Sequence, residues 1–420
     1  MECSAKNITN IQDILNEKQL EHILSKVAKP GAKIVGYDLK SASAGLVGFL
    51  GDHLRLKLYV KEDLIKEIHL FIKSLPMNNQ PKADFITQNS FNKREALLYK
   101  IFEEIDDETC DSNPWRPKAY IYTDNILVMP DLGAEGYKSY PSSKYLDKNH
   151  VMVTATSIAR FHAAFANYET KKTVLENKPY NFFDEYGHVM TEPVFYDTPW
   201  LRAAAKLTSN LLKEFSTNSK CYPSDLEERL VDLYIRACDD IKYYEGTLNV
   251  LIHKDLWFNN ILFRYSGDVA TNAVLIDFQC MRFAPPAFDM MLFLHLTTTR
   301  SFRERHESEV LRHYYTVFSE SLDDDTKRRM VSLNYDLENF LAWCEKARLF
   351  GMLLAAAIFP YSLMDPVTAK KTFDDPETFT YLLEVDRSVP VIEHAKESNV
   401  YRIKQLELSE EIVEKYLLRR

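Results

Sequence analysis

Residues 253–260 read HKDLWFNN, a stretch of the form H-x-D-x4-N that lies between two apolar segments. Another apolar segment, further along the chain, ends in the carboxylate of Asp277. Catalysis of phosphoryl transfer needs a carboxylate near the attacking hydroxyl and hard oxygen ligands for magnesium. The pattern therefore predicts Asp255 as the base and Asn260 and Asp277 as magnesium ligands. Taken alone the pattern is loose, because Asp and Asn in loops are usually turn formers.

A lysine and a glutamate upstream supply two further groups that such a site needs. Lys73 lies in an apolar strand candidate at residues 68–75, and Glu95 lies in a helix candidate at residues 91–105. In an ATP site the lysine contacts phosphates and the glutamate orients it. The alternative is an exposed lysine on an edge strand and a solvated glutamate. Only the downstream motif favours the functional interpretation over that alternative.

A glycine-containing segment and a hinge-like segment complete the candidate nucleotide site. Gly45, Gly48 and Gly51 occur in GLVGFLG, whose spacing differs from the G-x-G-x-x-G of a phosphate-covering loop. Glycines before a strand are often simple turns, so a phosphate-binding role for Gly48 and Gly51 stays one of two alternatives. The segment LVMPDL at residues 127–132 lies where a hinge between lobes is expected, which predicts Met129 beside the adenine ring.

Apolar periodicity divides the chain into a β-rich part and a helical part. The β-rich part is predicted to contain a helix at 10–28, strands at 54–60 and 68–75, a helix at 91–105 and a hairpin over 120–129. The later helices are predicted at 144–168, 197–215, 224–244, 286–299, 303–321 and 337–358, around a β-rich passage at 250–277. We therefore predict an α+β fold of two lobes, an ATP-binding lobe at residues 1–130 and a helical lobe at residues 131–420, with a ligand cleft between them.

Composition excludes several other classes of protein. The chain has 420 residues and a formal net charge of -9, so the overall basic surface typical of nucleic-acid-binding proteins is lacking. No two of the six cysteines have the spacing of a zinc knuckle. The N-terminal residues lack the apolar core of a signal peptide, and no apolar run reaches the length of a membrane helix. We expect a cytoplasmic protein that binds neither nucleic acid nor membrane.

Further segments form a recognisable combination with the catalytic motif. They are Ile276-Asp277-Phe278-Gln279, Pro286-Ala287-Phe288-Asp289, F-x3-E-x3-Y at Phe91–Tyr99, Leu127–Leu132 and Ala159-Arg160-Phe161-His162-Ala163. Together they resemble the ecdysteroid kinase-like proteins, also described as CHK kinase-like, within the choline kinase and aminoglycoside phosphotransferase superfamily. The resemblance runs from roughly residue 30 to residue 360.

The resemblance implies a protein-kinase-like two-lobed fold, ATP with magnesium, and phosphorylation of a hydroxyl on a small molecule. Ecdysteroids are the named substrates of the family, and hydroxylated xenobiotics are further candidates. The resemblance implies the roles given above for the base, the magnesium ligands, Lys73 and Glu95. It also implies that His253 supports the catalytic loop and that Asp289 braces that loop. For Asp289 the alternative is a carboxylate that only complements the dipole of its helix.

The chain departs from the family pattern at three places. Lys254 stands where the family usually has glycine, Pro130 stands where an acidic residue is common, and the glycine spacing is atypical. These departures affect the expected substrate and rate more than the expected nucleotide binding.

Three other classes of protein remain as alternatives. A protein kinase needs a long activation segment after the metal aspartate, and here only Phe278–Pro285 separate Asp277 from the next helix candidate. A nucleotide-binding pseudokinase would have lost the base or a metal ligand, and all three residues are present. A scaffold protein without an ATP site is the third alternative.

The acceptor pocket is expected between the catalytic loop and the C-terminal helices. Aromatic and apolar side chains near residues 337–361 are candidates for its wall, although such residues usually form ordinary core. They are Phe340, Trp343, Phe350, Met352, Phe359 and Tyr361.

Overall fold

An antiparallel five-stranded sheet forms the N-terminal part of the molecule. The computed structural model describes residues 10–42, 50–76, 78–105, 113–141 and 144–418. The strands are β1 (Lys33–Ser41), β2 (Asp52–Lys61), β3 (Ile65–Ser74), β4 (Ile121–Tyr122) and β5 (Ile126–Pro130), in the order β1-β2-β3-β5-β4. The accompanying helices are α1 (Glu17–Val27), α2 (Gln80–Gln88) and α3 (Phe91–Ile105). The prediction of the helix at 91–105 and of the 120–129 hairpin is confirmed.

The leading helix is shorter than the apolar pattern predicts. A single 3-10 turn covers Ile11–Asp13, and α1 starts only after Asn16. The Asn16 side chain accepts a hydrogen bond from the Gln19 N–H at 3.0 Å, and the Gln19 side chain accepts one from the Asn16 N–H at 3.0 Å. This reciprocal capping box provides acceptors for backbone N–H groups that have no carbonyl partner at the start of a helix. It therefore favours a helix that begins directly after Asn16. The prediction of one helix over 10–28 was therefore wrong at its start.

The C-terminal part is mainly helical. Its helices are α4 (Lys148–Glu176), α5 (Phe182–Tyr186), α6 (Pro199–Phe215), α7 (Leu226–Asp240), α8 (Ala287–Thr297), α9 (Arg300–Glu320), α10 (Asp324–Ser332), α11 (Leu337–Ser362), α12 (Pro366–Phe373), α13 (Phe379–Glu384), α14 (Ser388–Glu397) and α15 (Asn399–Tyr416). Its strands are β6 (Lys138–Ser139), β7 (Val250–Ile252), β8 (Ile261–Ser266), β9 (Val269–Leu275) and β10 (Arg282–Ala284). They form the small sheets β6-β8-β9 and β7-β10. The structure thus has the predicted α+β fold of a β-rich N-terminal lobe and a helical C-terminal lobe.

Helix α8 and the buried stretch of α11 at residues 347–357 form the centre of the helical lobe. Every residue of α8 is buried, and α11 crosses α8 at Gly351. A Cβ atom at Gly351 would lie 2.7 Å from the Met291 carbonyl carbon and 2.9 Å from the Leu292 nitrogen. Only glycine permits this approach of the two backbones. The contact fixes α8, which carries Asp289, against the rest of the core.

No single helix within the described ranges has the length and apolar composition needed to span a bilayer. Helices α11 and α12 satisfy that requirement only when taken together, and they meet at a bend of 96°.

The division into domains at residues 130 and 131 stays a prediction.

Candidate active site

The predicted catalytic loop, residues 253–260, connects β7 to β8 and is attached to α8 through one buried carboxylate. Asp289 accepts hydrogen bonds from the backbone N–H groups of His253 at 2.6 Å and Lys254 at 2.8 Å. The His162 ring of α4 lies 3.1 Å from the same carboxylate and 2.6 Å from the Tyr314 hydroxyl. Asp289 therefore connects the loop, α8 and α4 through direct contacts. A carboxylate that only complements the dipole of its own helix would not need these contacts.

His253 joins the start of the loop to the end of β9. Its Nε2 lies 2.9 Å from the Ile276 carbonyl oxygen, and its Nδ1 lies 3.2 Å from the Asp255 backbone nitrogen. Burial lowers the pKa of His253 below its ordinary value. The neutral ring then donates its Nε2 proton to Ile276 and accepts from Asp255 with Nδ1, which orients the loop on both sides.

Asp255 and Asn260 face each other across the loop. The Asn260 side-chain nitrogen donates to the backbone oxygen of Asp255 and to its Oδ2, both at 2.8 Å. This orientation directs the Asn260 side-chain oxygen away from the carboxylate. Burial and the neighbouring Asp277 raise the pKa of Asp255 from 3.8 to about 7. A carboxylate with raised proton affinity is better suited to accept a proton from a hydroxyl.

Lys73 and Glu95 are buried beside Asp277, so the alternative of an exposed edge-strand lysine is wrong. The Lys73 ammonium lies 2.8 Å from Glu95 Oε2, 2.7 Å from Asp277 Oδ1 and 3.0 Å from Gln279 Oε1. Lys73 is 6% exposed and Glu95 is 3% exposed. Although burial disfavours the charged ammonium, Asp277 and Glu95 raise the pKa of Lys73. The second Glu95 oxygen accepts from the Phe278 N–H at 3.0 Å, which connects α3 to the segment after β9.

A large cleft, with a volume of 540 Å³, lies on one side of Asp277. Lys73, Glu95, Met129, Asn260 and Asp277 all line this large cleft, so the structure brings five of the predicted site residues together.

The two predicted loop glycines are placed differently. Gly48, with Gly45, lies outside the described residues. Gly51 has φ 93°, and a Cβ there would lie 3.1 Å from the Ser74 carbonyl oxygen, so this position requires glycine. It is next to Lys73 in space but is not among the residues that line the large cleft.

Several residues that line the large cleft were not identified from the sequence. His53 stacks on Phe71 at 5.5 Å between ring centroids, and the Arg55 guanidinium lies 3.2 Å from Asp131. All four line the cleft. Burial and nearby Lys73 lower the pKa of His53 to about 4, so this ring is neutral. The alternation of side chains along β2 could have identified His53 and Arg55, because they flank the buried Leu54 and therefore lie on the opposite face of the strand.

A small cavity, with a volume of 100 Å³, lies on the other side of Asp277. Asp255, Lys254, Asp277, Gln279 and Cys280 form its polar part. Its remaining walls are Leu50, Phe85, Phe91, Val194, Trp200, Trp257, Leu354, Ile358, Tyr361, Ser362 and Leu383.

The predicted aromatic wall is mostly ordinary core, as the alternative had it. Of the six side chains proposed for the wall, only Tyr361 lines the small cavity. Phe340 instead stacks on Tyr314 at 5.0 Å, and Phe350 packs against Phe288 at 5.3 Å. Helical periodicity identified the buried face of α11, but it does not indicate which turns of that face reach a cavity.

Lys254 forms a buried ionic network that the sequence did not predict. Its ammonium is hydrogen-bonded to Glu192, and the Arg282 guanidinium lies 3.5 Å from the second Glu192 oxygen. Burial opposes ionisation of Glu192, but Lys254 and Arg282 lower its pKa below the ordinary value. The backbone of Lys254 has φ 62°, in the left-handed region that favours glycine. A positive φ at this position explains why the family that the sequence resembles usually has glycine here.

Removing the lysine ammonium should leave Glu192 a buried carboxylate that keeps the backbone N–H of Phe195 at 2.9 Å but has Arg282, at 3.5 Å, as its remaining cationic partner among the described residues. We expect Lys254→Met to lower the free energy of unfolding by about 2 kcal/mol, measured by urea denaturation. The double variant Lys254→Met/Glu192→Gln removes both charges and should recover more than half of that loss. Equal stabilities for Lys254→Met and the unmodified protein would show that the network is not important for folding.

The donor groups fit magnesium better than a resident transition metal. No group of three or more His, Cys, Asp or Glu side chains able to hold a metal ion occurs in the described part of the chain. Magnesium needs only one or two protein oxygens when it also binds phosphates and water. The Asn260 side-chain oxygen and Asp277 Oδ2 are suitable, because Asp277 Oδ2 has only a weak contact to Gln279 at 3.4 Å.

Solved structures with a similar chain course include three small-molecule kinases that share little sequence identity with this chain. A Plasmodium vivax ethanolamine kinase is 13% identical with a TM-score of 0.40, covering 94% of this chain and 86% of its own. The ADP-bound aminoglycoside phosphotransferase APH(2″)-Ib is 13% identical with a TM-score of 0.34, covering 82% and 99%. A microcompartment-associated aminopropanol kinase is 14% identical with a TM-score of 0.33, covering 82% and 96%. These TM-scores are below 0.5, so no functional argument rests on them.

Sequence comparison is more decisive. Comparison with curated protein sequences gave no match. The sequence model of the ecdysteroid kinase-like family matches residues 47–325, a range that includes Lys73, Glu95, the catalytic loop, Asp277 and Asp289. Because this match covers more than half of the chain, the protein belongs to the ecdysteroid kinase-like family.

Proposed function

We propose that the protein transfers the γ-phosphate of ATP to a hydroxyl group of an apolar small molecule. The observation that carries this proposal is that two cavities adjoin at one residue. Asp277 lines both the large cleft and the small cavity, while Asp255 lines only the small cavity. A nucleotide in the cleft and an alcohol in the cavity would therefore meet beside the proposed base.

Each residue has a role that follows from its surroundings. Asp255 accepts the proton of the attacking hydroxyl. Lys73, held by Glu95, contacts the phosphates of ATP, and Met129 lies beside the adenine. Asn260 and Asp277 would hold magnesium, which neutralises negative charge on the transferred group when it is bound. Gly48, which lies outside the described residues, and Gly51, which does not line the large cleft, are proposed from the sequence pattern alone to approach the phosphates.

The lining of the small cavity favours a neutral acceptor. Its described carboxylates are Asp255 and Asp277, which the reaction requires, and the charge of Lys254 is balanced by Glu192. No further acidic group is therefore available in the described lining to bind the ammonium of an amino alcohol. Most other walls are aliphatic or aromatic. We propose an ecdysteroid or a hydroxylated xenobiotic as the class of acceptor.

The alternatives have less support. A pseudokinase would lack a required group, whereas Asp255, Asn260 and Asp277 are together here. The segment Phe278–Pro285 forms a 3-10 turn and the short strand β10, which leaves no activation segment of the kind that binds protein substrates.

The test is ATP consumption with magnesium across steroid, glycoside and amino-alcohol acceptors. We expect turnover that depends on an apolar alcohol and is negligible with amino alcohols. Failure to consume ATP with every acceptor, while magnesium-dependent ATP binding persists, would favour the pseudokinase. Absence of any ATP-dependent rise in the melting temperature would favour a scaffold protein, since a ligand that binds the native state must stabilise it.

Removal of the metal provides a separate prediction. With excess EDTA we expect turnover to be abolished and the ATP-induced rise in melting temperature to become smaller, because Asp277 and the phosphates then repel each other. Asn260→Ala should show the smaller rise even with magnesium present. An EDTA-treated protein with unchanged turnover would contradict the assignment of Asn260 and Asp277 as magnesium ligands.

A further inference from the structure

The hydroxyl of Ser362, the last residue of α11, is unpaired within the described part of the chain. Ser362 is 2% exposed, and its Oγ bonds to no atom of the described residues. Some other buried hydroxyls in helices of this chain bond to the carbonyl four residues earlier: Thr154 does so to His150 at 2.8 Å, and Ser409 to Gln405 at 2.8 Å. The hydroxyls of Ser209 and Thr326, like that of Ser362, have no partner among the described residues, but only Ser362 of these three lines a cavity beside Asp255. Burial of an unpaired hydroxyl is unfavourable, so this serine calls for an explanation.

Ser362 lines the small cavity that also contains Asp255. The neighbouring residues of α11 in that wall, Leu354 and Ile358, are apolar. Among the polar side chains of the cavity, Gln279 accepts from Lys73 and Asp255 accepts from Asn260. The Tyr361 hydroxyl accepts a hydrogen bond from Arg387. Ser362 thus contributes a hydroxyl without a described partner to a wall in which the other α11 residues are Leu354, Ile358 and Tyr361.

The size of the small cavity limits how far a bound molecule can extend within it. Its volume of 100 Å³ is smaller than the ~150 Å³ of a cavity that holds benzene. The part of an acceptor enclosed here is therefore about one ring in size. A group that reaches Ser362 must then lie within about one ring of the hydroxyl that reacts at Asp255.

Resting on the proposed function, we propose that Ser362 binds a second oxygen of the acceptor, so that the preferred substrate is an apolar alcohol with another hydroxyl or carbonyl about one ring away. The Ser362 hydroxyl donates to a carbonyl oxygen, or donates to or accepts from a hydroxyl. An alcohol without that second oxygen offers no hydrogen-bond partner to Ser362. Ser362 is a specificity residue in this scheme and takes no part in the transfer itself.

The experiment compares one apolar alcohol with its oxygenated analogues. Cyclohexanemethanol and its 2-, 3- and 4-hydroxylated derivatives are titrated by ligand-observed NMR in the presence of ADP and magnesium. Binding is measured for the unmodified protein, Ser362→Ala and Ser209→Ala. Ser209 is the matched control, because it is also a buried helical serine without a partner among the described residues but does not line the small cavity. Phosphorylation of the same compounds is followed separately by phosphorus NMR with ATP.

We expect the unmodified protein to bind at least one hydroxylated derivative about tenfold more tightly than cyclohexanemethanol, as one buried hydrogen bond permits. Ser362→Ala should remove this preference without weakening cyclohexanemethanol, and Ser209→Ala should keep it. No preference in the unmodified protein, or an equal preference in Ser362→Ala, would overturn the inference. Preferential binding without phosphorylation would instead contradict the proposed transfer reaction and leave the role of Ser362 intact.

Discussion

Asp255→Asn is expected to lower kcat by about 100-fold to 10,000-fold, which is the usual contribution of a positioned general base. The amide has the size of the carboxylate but cannot accept the proton of the attacking hydroxyl. The loop should keep its conformation, because Asn260 also donates to the backbone oxygen of residue 255 at 2.8 Å. His253 accepts from the backbone nitrogen of the same residue, and this contact is likewise unaffected.

ATP binding separates loss of the base from loss of the fold. We expect the ATP-induced rise in melting temperature to be nearly unchanged in Asp255→Asn, since residue 255 does not line the large cleft. Asp268→Asn, in the exposed turn between β8 and β9, is the matched control and should retain full activity. Turnover of Asp255→Asn at the unmodified rate would exclude Asp255 as the base.

The sequence alone was sufficient to predict the contacts of the site that are made between residues close together in the chain. The spacing of Asp255 and Asn260 within one loop allows their side chains to meet, and the structure has them at 2.8 Å. The position of Lys73 directly after the apolar run Leu70-Phe71-Ile72 indicated a buried partner. Glu95, on a helix whose bounds the apolar pattern predicted correctly, is that partner.

The parts that the sequence did not predict depend on distant segments or weak burial. Glu192 pairs with Lys254 from an irregular segment 62 residues away, for which neither periodicity nor motif gives a signal. Strand β1 was not located because most of its residues are exposed, so its apolar alternation is weak. Helix α2 is amphipathic over only nine residues, and it begins at an Asn79 cap followed closely by proline. Such short elements are fixed mainly by tertiary contacts.

Ser362 illustrates a different limit of sequence reasoning. The apolar pattern of α11 correctly indicates a buried face. In the sequence, however, Ser362 looks like an ordinary polar residue at the end of a helix. Its importance follows only from two structural facts, the missing hydrogen-bond partner and the adjoining cavity. A substrate-contacting residue of this type can be found only when the packing around it is known.

Asp289→Asn is expected to have the largest effect on stability, lowering the free energy of unfolding by about 3 kcal/mol or more. Asp289 is fully buried and accepts from two backbone N–H groups of the catalytic loop, with one of its oxygens for each. An amide has only one oxygen, so its NH2 group must face a buried N–H of His253 or Lys254. That N–H and the NH2 group are then two donors that face each other without an acceptor, and their repulsion should also displace the loop and lower turnover.

The comparison with Asp324→Asn decides between a brace and a simple dipole effect. Asp324 is an exposed carboxylate in the first turn of α10, as Asp289 is a buried one in the first turn of α8. If Asp289 only complemented its helix dipole, urea denaturation would give similar small losses for both variants. We expect a loss several times larger for Asp289→Asn, together with weaker protection of the His253 and Lys254 amides from hydrogen exchange. Local loss of protection at these two amides is the result that a dipole effect does not produce, because only a direct hydrogen bond to the carboxylate shields them.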